Sequence, residues 1–216
     1  TQAVGILNDG WARSLNGIYT NPAKYLNDKL TALRPQTREL VSLALIRLAY
    51  LDPEAAAVEV NHLRWKAQLT QEERSWIWGA IGKRAAMKQS RDALGYFAQG
   101  QFTQMHEDHL AWAVRAALRA GNWKVVQDAI VAMPAALAAE PVWAYWHARA
   151  LLARGDSQAE ARSLLQGIAG VRGFYEQLAL EELGQRISLP LPPEPLSLDE
   201  REVARSNPGL TRALYA

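Results

Sequence analysis

Trp112-Ala-Val-Arg-Ala-Ala-Leu-Arg-Ala-Gly121 and Trp146-His-Ala-Arg-Ala-Leu-Leu-Ala-Arg-Gly155 are variants of one segment, 34 residues apart. Trp, Arg115/Arg149, Ala116/Ala150, Leu118/Leu152 and the closing Gly coincide, and Asn122 and Asp156 keep the register. An offset of 34 is the period of tetratricopeptide-like helical hairpins. Each hairpin leaves one apolar face open and the next one closes it, so the copies imply a stack of hairpins. Trp78 lies one more period upstream, in poorly matching surroundings. Two good copies among divergent neighbours predict an irregular α-superhelix.

The rest of the chain is written in the same periodicity. Apolar residues recur at helical spacing, as in Leu110, Val114, Ala117 and Leu118, or Val126, Ala129, Ile130 and Met133, and strand-like alternation is almost absent. Thr70-Gln-Glu-Glu73, Ser157-Gln-Ala-Glu160 and Ser197-Leu-Asp-Glu200 match the capping box, in which hydroxyl and carboxylate satisfy orphan backbone N–H groups. Pro22, Pro53, Pro141 and Pro208 stand where a helix can begin without losing a hydrogen bond. Gly121, Gly155 and Gly184 stand where helices should end. Helices are predicted near 22–33, 37–50, 53–66, 71–86, 89–98, 103–119, 123–132, 141–153, 158–167, 172–183 and 198–205, with another from Pro208 and a short one around Asn8 to Leu15. The fold class is therefore all-α, a solenoid of stacked helical hairpins without significant strand. An α-superhelical domain is expected over 1–186, a proline-rich linker or strap over 187–196, and the start of a further helical segment over 197–216. Leu189-Pro-Leu-Pro-Pro-Glu-Pro195 favours polyproline II within that linker.

Composition removes several functional classes. The 216 residues are 49% hydrophobic and 21% charged, enough to bury a core. Absence of cysteine rules out a disulfide scaffold, a Cys-based zinc module, an iron–sulfur protein and a thiol enzyme. The net charge is +2 with both signs interspersed, so no basic stripe marks a nucleic-acid partner. No apolar run reaches the roughly 18 residues of a membrane span, and Pro134 interrupts the stretch from Ala129 to Ala139. The chain opens on Thr1 without a signal peptide, and is expected to be an excerpt or processed product of a longer precursor.

Candidate chemistry is sparse. His106-Glu-Asp-His109 places two imidazoles at i, i+3, with Glu107 or Asp108 as oxygen donors, yet a zinc site needs further ligands in tetrahedral geometry. A solvated, acid-rich helix N-terminus is the simpler expectation. Glu72-Glu73, Glu181-Glu182 and Asp199-Glu200 are adjacent carboxylates, but helix neighbours point about 100° apart and cannot flank one sugar bond. No phosphate-binding glycine loop or Gly-x-Ser-x-Gly elbow occurs. Trp143, Tyr145 and Trp146, with Trp76 and Trp78, are candidate stacking platforms, although aromatics at helical spacing more often pack helices together, and Trp123 is expected to do so. Arg115 and Arg149 share one repeat position and predict a recurrent ion pair between stacked helices. No catalytic, cofactor-binding or metal-binding residue is assigned.

The order of these segments resembles a known family. Trp143-Ala-Tyr-Trp146-His-Ala-Arg149 through Gly155, then Ala159-Glu-Ala-Arg-Ser-Leu-Leu165 and Arg172-Gly-Phe-Tyr175-Glu-Gln-Leu-Ala, is similar to the superhelical region of the soluble lytic murein transglycosylases. Val114-Arg-Ala-Ala-Leu118 with Gly121-Asn-Trp123 and Met133-Pro134 fits the preceding hairpin, and Thr37-Arg-Glu-Leu through Asp52-Pro-Glu-Ala-Ala resembles earlier helices. The resemblance implies a periplasmic protein whose α-superhelix is followed by a lysozyme-like domain. That domain would cleave the MurNAc–GlcNAc bond of peptidoglycan, with a glutamate as acid and then base, to a 1,6-anhydro product. It further implies peptidoglycan glycan strands as partner, proteins of the cell-wall synthesis machinery as further partners, and no cofactor. The family's Glu-Ser and Gly-Leu-Met-Gln stretches are missing from this sequence, so no catalytic position is carried over. Two rival expectations remain. One is a self-contained helical-repeat adaptor gripping a peptide in its groove. The other is a metal-dependent all-α enzyme built on His106 and His109.

Overall fold

The computed structural model describes residues 9–28, 31–188 and 194–214. They form α1 (Asp9–Thr20), α2 (Pro22–Asn27), α3 (Pro35–Leu51), α4 (Pro53–Val60), α5 (Leu63–Gln68), α6 (Gln71–Met87), α7 (Ala93–Phe97), a 3-10 turn (Phe102–Gln104), α8 (Glu107–Ala120), α9 (Trp123–Val131), α10 (Ala135–Ala138), α11 (Pro141–Arg154), α12 (Gln158–Ile168), α13 (Phe174–Glu182), α14 (Leu198–Ser206) and α15 (Pro208–Leu214). No strand occurs among the described residues. The fold is an all-α superhelix. Much of the proline-rich strap, residues 189–193, lies outside the described residues, as does Asn8 at the start of the first predicted helix.

The repeat is visible as geometry. Helices α8 and α11 begin at Glu107 and Pro141, the same 34-residue offset, and both run for 14 residues. Each closes on a glycine in the left-handed region, Gly121 at φ 67° and Gly155 at φ 71°. Around them the hydrogen bonds are those of the Schellman motif. The N–H of Asn122 donates to the Ala117 carbonyl, and that of Gly121 to Leu118; Asp156 to Leu151 and Gly155 to Leu152 repeat the pair. A Cβ at Gly155 would meet nothing within 4 Å, so the demand for glycine there is one of backbone alone. Gly155→Ala should therefore cost about 1 kcal/mol in urea unfolding without altering the folded spectrum. A cost near zero would mean that the left-handed turn is not retained.

Elsewhere local chemistry shortened the predicted helices. The single helix expected over 53–66 breaks into α4 and α5. Asn61 Nδ2 donates back to the Ala57 carbonyl, and Glu59 gathers Arg64 at 2.6 Å, Trp65 Nε1 at 2.7 Å and His62 Nδ1 at 3.2 Å. Burial alone would raise the Glu59 pKa, but the Trp65 and Arg64 hydrogen bonds bring it below the usual value. The helix expected over 89–98 shrinks to α7, because Gln89 takes φ 59° and ends α6. The helix expected from 103 starts at Glu107, after the 3-10 turn. Thr70 and Ser197 form complete capping boxes. Ser157 Oγ accepts from the Glu160 N–H, but the Glu160 carboxylate is not returned to the cap and its charge acts on His147.

Among the described residues, packing links helices α1 to α13 into three buried clusters. Helix α6 gives Ile77, Trp78 and Ile81 to an N-terminal cluster with Leu45, Val60 and Trp65, and Ala85 and Ala86 to a central one with Phe97, Val114 and Val126. Helix α11 gives Trp143 and Ala150 to the central cluster, and Tyr145, Ala148 and Leu151 to a C-terminal one. Helix α9 packs against both α8 and α11, and α12 against both α11 and α13. Helices buried on two faces in this way carry the stack from one hairpin to the next.

Candidate functional site

The His cluster sits at the seam of α6 and α8. His106 caps α8, its Nδ1 accepting from the Asp108 N–H at 3.2 Å, and its side chain is exposed. His109 departs from the solvated expectation. It is 7% exposed and its ring lies against Gly79, where a Cβ would come within 2.8 Å of its Cγ. The reason is that α6 presents glycine at that level, which opens a slot of imidazole size. Burial pushes the His109 pKa down to about 4, aided by the charges of His106 and Lys83 and opposed by Asp108. Asp108 pairs with Lys83, whose hydrogen bond holds the carboxyl below its usual range. Among the described residues no group of three or more His, Cys, Asp or Glu could hold a metal ion.

The tryptophans divide by their surroundings. Trp143 is buried between α8 and α11, with the Arg115 guanidinium 5.2 Å from its ring centroid and equally close to that of Trp112. Trp146 is half-buried and meets Tyr145 edge-on at 5.3 Å. Trp123 packs beside the turn onto the central cluster. Trp76 keeps 42% of its surface exposed over His106 and His109, with ring centroids 5.5 and 5.4 Å away. The recurrent ion pair is formed once. Arg149 reaches Glu182 at 2.5 Å and Tyr145 Oη at 3.1 Å. Arg115 has no such partner at the equivalent place, since Ala148 stands one period before Glu182, and it lies over indole rings instead.

The adjacent carboxylates are occupied or solvated. Glu73 bonds Arg38 at 3.2 Å and the Thr70 N–H, Glu182 bonds Arg149, and Glu200 caps Ser197, while Glu72, Glu181 and Asp199 face solvent. Of these carboxylates Glu182 borders a shallow cleft with Leu152, Arg162 and Leu183, where it is held by Arg149.

A cleft of about 600 Å³ does open elsewhere, between α4 and the α6–α7 turn, lined among others by Glu54, Val58, Asn61, Trp78, Arg91, Asp92, Gly95, Tyr96 and Gln99. Trp78 and Tyr96 stack there at 6.2 Å with ring planes 21° apart. Burial, together with the charges of Asp92, Glu54 and Asp52, raises the Tyr96 pKa. Of these residues sequence reasoning singled out only Trp78. The others come from α4, α7 and the turns beside them, and the one local signal was Gly95 inside a helix.

No protein-family model matches the chain. Over 194 residues, 87% of its length, it is 25% identical to the soluble lytic murein transglycosylase of Escherichia coli K12. Its fold superposes on an inactive mutant of the lytic transglycosylase Slt from Pseudomonas aeruginosa with a TM-score of 0.67 and 26% identity, covering 98% of this chain. The chain is a relative of the soluble lytic murein transglycosylases. The 70-kDa soluble lytic transglycosylase in complex with bulgecin A shares the fold, with a TM-score of 0.67 at 21% identity over 96% of this chain. The chain spans 29% of the curated transglycosylase and 35% and 34% of the two solved ones. No helix among the described residues is long and apolar enough to cross a membrane.

Proposed function

We propose that this chain is the non-catalytic superhelical portion of a periplasmic lytic transglycosylase, in which a lysozyme-like domain outside it cleaves the MurNAc–GlcNAc bond to 1,6-anhydro-MurNAc. The observation that carries this reading is the match of 98% of the chain to about a third of a solved lytic transglycosylase. Residues 1–186 would form the scaffold, 187–196 a strap, and 197–216 the first helices of the next segment. The scaffold holds peptidoglycan strands near the active site, and so acts through orientation and effective concentration rather than chemistry. The occupied or solvated state of the paired carboxylates supports a role without acid–base work.

Purified chain incubated with isolated sacculi should sediment with the insoluble peptidoglycan and release no anhydro-muropeptides. Anhydro products from the chain alone would sink the non-catalytic reading. Failure to co-sediment would sink the strand-holding role.

A further inference from the structure

We infer that the cleft between α4 and the α6–α7 turn binds a neutral pyranose ring of a glycan strand, with Tyr96 as stacking wall and Glu54, Asn61, Arg91, Asp92 and Gln99 as hydroxyl partners. That the ring belongs to a glycan strand rests on the function proposed above; the site itself rests on the geometry. Its volume of about 600 Å³ lies within the roughly 300–1,000 Å³ of small-molecule sites. Tyr96 is half-buried, and Trp78 beneath it is 5% exposed, so the phenol ring is a rigid wall with one edge in water. Val58, 66% exposed, adds an apolar surface from α4. A pyranose offers a C–H face to such surfaces and hydroxyls at its edge.

Much of the polar rim is unpartnered, although Glu54 also stands in the first turn of α4, where an acid suits the helix dipole. The side chains of Glu54, Arg91, Asp92 and Gln99 make no hydrogen bond or ion pair among the described residues, and Asn61 spends only its Nδ2 on the Ala57 carbonyl. Carboxylates, amides and a guanidinium together suit hydroxyls, each of which both donates and accepts. Two carboxylates against one guanidinium disfavour a phosphate or a nucleic acid.

Like Gly167 in α12, Gly95 is a helical glycine that packing does not explain. It sits inside α7, where glycine weakens a helix, and a Cβ there would meet nothing within 4 Å. No close packing demands it. Its missing side chain leaves the cleft open beside Tyr96.

The full chain is titrated with β-1,4-linked N-acetylglucosamine tetramer, read by calorimetry and tryptophan fluorescence. Saturable binding is expected, weakened about tenfold or more by Tyr96→Ala and by Gly95→Leu. Tyr96 also packs between two core clusters, so Tyr96→Ala alone could act through folding. Gly95→Leu should keep or raise the thermal midpoint, which separates lost binding from lost structure. A wild-type chain that does not bind the tetramer, or a folded Gly95→Leu chain that binds it undiminished, overturns the assignment. Sedimentation with sacculi distinguishes the two failures. If both chains sediment equally, only the cleft is wrong; if neither does, the strand-holding function falls as well.

Discussion

Phe97→Ala is expected to destabilise the chain by about 3–5 kcal/mol. Phe97 is fully buried in the central cluster, and its ring fills the hollow left by Gly82 on α6. Truncation removes the fully buried ring of the α6–α7 contact and leaves a cavity that two short-linked helices cannot readily close. For a chain of this length the thermal midpoint should fall on the order of 10 °C. The same geometry predicts a change of sign. In the wild-type chain, Gly82→Ala places a Cβ 2.8 Å from the Phe97 ring and must be destabilising. In the Phe97→Ala background that obstacle is gone, and the better helix propensity of Ala over Gly should stabilise by up to about 1 kcal/mol. Urea unfolding of the four proteins closes the cycle. Equal cost of Gly82→Ala in both backgrounds would show that the ring does not set the helix spacing.

The second large effect is one of pH. His109 titrates near 4 in the folded chain and at the ordinary 6.5 when unfolded. As pH falls below 6.5 the unfolded state takes up a proton that the folded state refuses, so stability drops until the pH reaches about 4. The loss saturates at on the order of 3 kcal/mol. Its physical source is the burial of the imidazole against Gly79, with Nδ1 lacking a hydrogen-bond partner, and secondarily the charges of His106 and Lys83. His147, also lowered by burial, adds a contribution of the same sign. The lowered carboxyls of Glu59 and Asp108 lose their stabilisation only further down, through the carboxylate range. His109→Leu should therefore flatten most of the stability profile between pH 6.5 and about 4.5 and leave the steeper acid limb in place. The check is the urea midpoint of both proteins across that window. Parallel profiles would mean that His109 is not the group being titrated.

The helical class and the hairpin stack were legible because they depend on local, repeated signals. The period between Trp112 and Trp146, the glycines at 121 and 155 and the capping boxes at Thr70 and Ser197 each act within a few residues of themselves. Where neighbouring side chains competed for the backbone, the boundaries moved. The Glu59 cluster broke one predicted helix, and the left-handed Gln89 shortened another. Arg115 and Arg149 were recognisable as equivalent, but only the stacked helices decided that one meets Glu182 and the other meets indole rings.

The sequence by itself determined that this is an all-α repeat protein, where its hairpins turn, and which family it resembles, since periodicity and capping are properties of the local chain. Tertiary structure alone decided that His109 is buried, that Gly79 and Gly82 are slots for rings from other helices, and that residues from α4, α6 and α7 share one cleft. Those outcomes depend on which faces meet across gaps of about 15 to 45 residues in the chain, and no local signal encodes the distance between two helices.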